Sequence, residues 1–78
     1  MIVVVKYRTI DKNLKRIIRL LREIPFVKEI IFYRGERTMI FANDYKIWEE
    51  GSELNPVEEI YDIKIFEIIR KIYFPVCS

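Results

Sequence analysis

The sequence predicts an α+β domain in which two helices cover one face of a small, mostly antiparallel sheet of three or four strands. Three observations lead there. An apolar, β-branched run opens the chain, two segments carry the 3,4 spacing of helices with start and stop residues, and short apolar runs broken by turn residues lie between them. With only 78 residues, all of it is one domain, 1–78.

Ile2 to Arg8 reads as the first strand. Val3, Val5 and Tyr7 fall on one face, and Ile2, Val4, Lys6 and Arg8 on the other. Asp11 then caps a helix running to about Ile24, its carboxylate accepting free amides of the first turn. Leu14, Ile17, Ile18, Leu21 and Ile24 form the buried stripe, opposite Lys12, Lys15, Arg16, Arg19, Arg22 and Glu23. Pro25 ends this helix. Val27 to Tyr33 is the second strand, apolar on both faces through Ile30/Phe32 and Ile31/Tyr33. Arg34 to Arg37 reads as a hairpin turn, and Thr38 to Ala42 as the third strand. Asn43-Asp44 turns into a short fourth strand, Tyr45 to Trp48, followed by a loop over Glu49 to Glu53.

Asn55-Pro56 marks the second helix start, a capping amide followed by proline where its missing N–H costs nothing. Glu58 and Glu59 suit the positive end of the helix dipole, and Arg70 and Lys71 the negative end. Val57, Tyr61, Ile65, Ile68, Ile69, Ile72 and Tyr73 read as its core stripe, with Ile60 and Ile63 in the charged arc and Pro75 as the stop. A competing reading makes Tyr61 to Phe66 a strand. The order β-α-β-β-(β)-α resembles a ferredoxin-like unit lacking a clear final strand, a ferredoxin-like variant. The resemblance is one of layout. The aromatic consensus of RNA-recognition sheets and a Gly-x-x-Gly loop are both missing, so it implies no residue roles.

Composition narrows the chemistry. There is no histidine and Cys77 is the only cysteine, so neither an internal disulfide nor a Cys/His zinc site can form. Five apolar residues before Lys6 are too few for a signal segment or a membrane span, which points to a cytoplasmic protein with Cys77 reduced. The absence of Gln, a single Ala and abundant Ile, Lys, Arg and Glu are compatible with a thermophilic source, although an AT-rich genome gives part of the same bias. Net charge is +2, yet residues 1–37 carry +6 and residues 38–78 carry −4.

No catalytic residue, metal site or cofactor is expected, and no small-molecule substrate. Cys77 has no base or orienting partner nearby in sequence, and neither Gly35 nor Gly51 lies in a phosphate-binding loop. Asp62-Ile63-Lys64, with Asp44 upstream, has the D-x-K spacing of metal-dependent nuclease centres. That spacing aligns the two groups only on a strand, which makes a nuclease the remote alternative.

Two interaction readings remain. Lys12, Lys15, Arg16, Arg19 and Arg22, with Arg34 and Arg37, form a basic surface suited to the backbone of DNA or RNA. Tyr33, Tyr45 and Trp48 are candidate stacking platforms. Insertion of the basic helix into a membrane surface is disfavoured, because it would strip the core of Leu14, Ile17, Ile18 and Leu21. The leading expectation is a homodimer, since a domain this small is marginal alone and one sheet face lacks a cover. Ile31, Tyr33, Ile60, Ile63 and Phe74 are its expected interface.

Overall fold

A computed structural model describes residues 1–73. Its elements are β1 (Ile2–Tyr7), α1 (Lys12–Arg22), β2 (Glu29–Arg34), β3 (Met39–Ala42), β4 (Tyr45–Glu49) and α2 (Pro56–Tyr73). This is the small α+β domain and element order expected, with the fourth strand present. The stretch Tyr61 to Phe66 is helical, which removes the strand alternative. Phe74, Pro75 and Cys77 lie outside the described residues.

Local chemistry explains the boundaries. The Leu14 N–H donates to the Asp11 carboxylate at 2.8 Å, capping α1. The Val57 N–H donates to the Asn55 side-chain oxygen at 3.0 Å, capping α2. Asn43 and Asp44 both take positive φ, 48° and 69°, the pattern of a type I′ turn whose twist matches the flanking strands β3 and β4. Asparagine and aspartate tolerate that region better than other residues bearing a side chain.

The strands lie in the order β2-β1-β3-β4. β1 runs parallel to β2 and antiparallel to β3, and β3 and β4 are antiparallel. The sheet is therefore mixed, with two antiparallel pairings and one parallel. β1 and β2 touch directly, so their β-α-β unit is unsplit, unlike a ferredoxin-like one. This order corrects the expected hairpin at Arg34 to Arg37. β1 lies between β2 and β3, so the link crosses the end of β1 instead of joining neighbours. The Gly35 N–H anchors the crossing on the Tyr7 carbonyl at 2.9 Å.

Val3, Val5, Ile40, Ala42 and Ile47 make the covered sheet face, and Leu14, Ile17, Leu21 and Ile24 of α1 pack on it with Ile60 of α2. The first-strand alternation and the α1 stripe are as expected. The face of α2 is reversed. Ile60 is fully buried (0 % exposed) and Ile63 packs against the core, as does Val57. Tyr61, Ile65, Ile68, Ile69 and Ile72, expected as the core stripe, are exposed. The helix has two apolar arcs, and periodicity alone cannot say which one docks.

Length adds a second cause. Eighteen helical residues span roughly 27 Å, whereas the five residues of β4 span roughly 17 Å, so α2 outruns the sheet. No residue from Ile68 to Ile72 is buried. The chain is accordingly elongated, 45 × 23 × 22 Å, with a radius of gyration of 13.7 Å against about 11.5 Å for a compact chain of this length.

Candidate functional site

Three surfaces stand out. The first is the uncovered sheet face. Val4 lies between Ile31 and Phe41 in register, and Lys6 between Tyr33 and Met39. Ile2 and Tyr33 are about half exposed, and Val4, Ile31, Met39 and Phe41 are partly so. The Lys6 ammonium sits 5.4 Å from the Phe41 ring centroid, and the register places Glu29 beside Ile2, Lys46 beside Phe41 and Glu49 beside Met39, so charges border the apolar surface. Ile31 and Tyr33 were expected here. Val4, Met39 and Phe41 complete the surface, and the alternation along Thr38 to Ala42 was the signal available for finding the last two.

Among the expected stacking residues, only Tyr33 reaches this face. Tyr45 pairs with Ala42 and Trp48 with Ile40, which turns both toward the helices. Tyr45 lines a groove with Ile63 and Phe66 of α2, and Trp48 packs partly on the core. Their placement follows from a β-bulge opposite Ile40/Phe41, which turns the alternation of β4.

The second surface is the outer stripe of α2. Tyr61, Ile65, Ile68, Ile69 and Ile72 follow one another at helical 4,3,1,3 spacing, Ile65 being 53 % and Ile72 65 % exposed. The Tyr61 ring meets Phe26 edge-on at 5.2 Å, and Asn43 donates to Glu67 at 2.6 Å. Of the α2 residues expected at an interface, Ile60 is removed from this surface by full burial. Ile63 is largely committed to the core, and Phe74 lies outside the described residues.

The third surface is the outer face of α1. Lys12, Lys15, Arg16, Arg19 and Arg22 are all exposed and share an arc of about 120° over three turns. Among the described residues none of the five has a carboxylate within ion-pair distance. Arg34 is exposed at the end of β2, whereas Arg37 binds Glu49 at 3.0 Å and Arg8 binds Glu50 at 3.4 Å. The Glu49 carboxyl is held below the usual carboxylate range by its hydrogen bond from Lys46 and by the nearby Arg37 charge.

The D-x-K pair is not assembled for chemistry. On a helix Asp62 and Lys64 point about 200° apart. Asp62 lines the groove facing β4, and the Lys64 ammonium lies 5.6 Å from the Phe26 ring centroid. Among the described residues no three His, Cys, Asp or Glu side chains cluster as a metal site, and no helix is long and apolar enough to cross a membrane. No known protein family, curated protein or solved structure matches this chain.

Proposed function

We propose that this chain is a non-enzymatic, cytoplasmic interaction module that works as a homodimer. The observation that carries this reading is the uncovered sheet face, where Val4, Ile31, Met39 and Phe41 are partly exposed and, among the described residues, no third layer lies over them. A lone small domain rarely leaves a contiguous apolar surface of this kind in water, and a two-fold partner is the simplest cover. The mass in solution, measured by light scattering across micromolar concentrations, tests it. A species of about twice 9.6 kDa is expected, and a monomer at every concentration refutes the reading. Tyr33→Glu should release monomer if the sheet carries the contact, and Ile68→Glu if α2 carries it.

A second reading rests on the five unpaired cations of α1. Clustered cations on one arc attract a phosphate backbone regardless of sequence. Binding of labelled single- and double-stranded probes should weaken steeply between about 50 mM and about 200 mM salt, as phosphate contacts displace counterions, and should vanish in Arg16→Glu/Arg19→Glu. Binding that survives the double charge reversal counts against this reading.

A further inference from the structure

The two edges of the sheet are built differently. β4 carries a bulge, and its exposed Lys46 is tied to Glu49 at 3.1 Å. Bulges and edge lysines both discourage a further strand from adding. β2, at the other edge, has neither. Its six residues run in unbroken register with β1 from Glu29 to Arg34, and the four between those ends are Ile30, Ile31, Phe32 and Tyr33. Phe32 is 41 % and Tyr33 54 % exposed.

The ladder shows which backbone groups of β2 are unused. Tyr7 lies opposite Arg34, and its carbonyl accepts from the Gly35 N–H. Parallel alternation then directs the amides of Ile31 and Tyr33 toward β1 and leaves those of Ile30, Phe32 and Arg34 pointing outward. The Asn43 N–H bonding to the Ile2 carbonyl on the other side of β1 agrees with this phase.

We propose that two copies join through β2, antiparallel about a two-fold axis beside Phe32, to form one continuous sheet. This rests on the homodimer reading for its second copy, which it seats on the β2 edge beside the open face instead of over it. Three outward residues then satisfy one another: Phe32 faces Phe32 of the second copy, and Ile30 faces its Arg34, in both directions. The strand is self-complementary in charge as well. Lys28 precedes β2 and Glu36 follows it, both exposed in the single chain, so antiparallel pairing brings the Lys28 end of each copy to the Glu36 end of the other. Of the two neighbouring two-fold registers, one sets Phe32 against Arg34 and leaves Ile30 without a strand partner, since Glu36 lies past the end of β2, and the other fails on two counts. It sets Arg34 against Lys28, a like charge, and the Lys28 N–H is already donated to the Met1 carbonyl at 2.9 Å. In the favoured register Ile31 faces Tyr33 of the second copy on the open face, joining the two apolar surfaces.

Charge reversal at the ends reads this register without touching the core. Self-association is measured by sedimentation equilibrium on the wild type, Lys28→Glu, Glu36→Lys, the double variant and Phe32→Lys, with circular dichroism confirming the fold. Each single reversal brings like charges together twice per dimer and should weaken association about tenfold. The double variant should return to within about twofold of wild type, and Phe32→Lys, which opposes two ammonium groups at the axis, should give monomer. Dimers indifferent to all these changes but broken by Ile68→Glu would overturn the β2 interface while leaving self-association standing. A wild type that stays monomeric would overturn both.

Discussion

Replacing Ile60 by alanine tests how α2 is seated. Ile60 is wholly buried beside the β4 end of the sheet, so truncation removes three carbon groups from the core. At about 0.8 kcal/mol per buried methylene the transfer loss is about 2.4 kcal/mol. The cavity left behind raises the cost to about 3–4 kcal/mol, within the range for large-to-alanine core changes. A chain of this size has about 4–12 kcal/mol of stability in all, so the variant should sit near the edge of folding. Ile68→Ala is the matched control. Its side chain is 47 % exposed on the outer stripe, and its loss should cost the monomer less than about 1 kcal/mol. Urea unfolding followed by far-UV circular dichroism measures both. The series should be run at several protein concentrations, because association adds concentration-dependent stability. If Ile68→Ala costs more than Ile60→Ala at the lowest concentration, α2 docks through its other face and the seating described here is wrong.

Three further outcomes follow from local geometry. Asp11→Ala removes the 2.8 Å cap on the Leu14 amide and should cost about 1 kcal/mol in thermal or urea unfolding, with Asp11→Ser recovering most of it. Asp44→Gly should keep or slightly raise stability because φ is 69° there, whereas Asp44→Val should lose about 1–2 kcal/mol by the same measurement. Lys46→Ala should raise the Glu49 pKa, seen in carboxyl-carbon NMR titration, and Arg37→Ala should do so to a lesser degree. A carboxylate held down in the folded chain adds stability above the ordinary carboxylate range, and that contribution fades as pH falls through this range to the lower value of Glu49.

Much of the backbone was legible because local rules decided it. Asp11, Pro25, Asn55-Pro56 and Asn43-Asp44 each act within a few residues, and the strand and helix limits fall close to them. Pairing was less legible. Arg34 to Arg37 has the length and composition of a hairpin link, and nothing local records that β1 takes the place between its strands. The seating of α2 was misread for a related reason. Ile60 and Ile63 sit among charges on the helix circumference, but the deciding factor is which arc meets Ile47 after the Glu49–Asn55 connection. The basic arc of α1 was fully readable, since Leu14, Ile17 and Leu21 leave only one side for the cations.

The position of β1 sets an order of events during synthesis. It is the first strand made and also a central one, flanked by β2 and β3. Val3 must wait for Ile30 on one side and Ala42 on the other, roughly 25–40 residues later in the chain. The β3–β4 hairpin, closed by its two-residue turn, can form within microseconds of its release. α1 can likewise begin to coil on its own capping signals. Val3 and Val5 therefore lack a full set of partners until β3 has left the ribosome, and the late step is the insertion of the oldest segment between β2 and β3. A bulky fusion placed just before Met1, whose amino group reaches the Phe26 carbonyl at 2.9 Å, would load that step directly and slow the arrival of the native state.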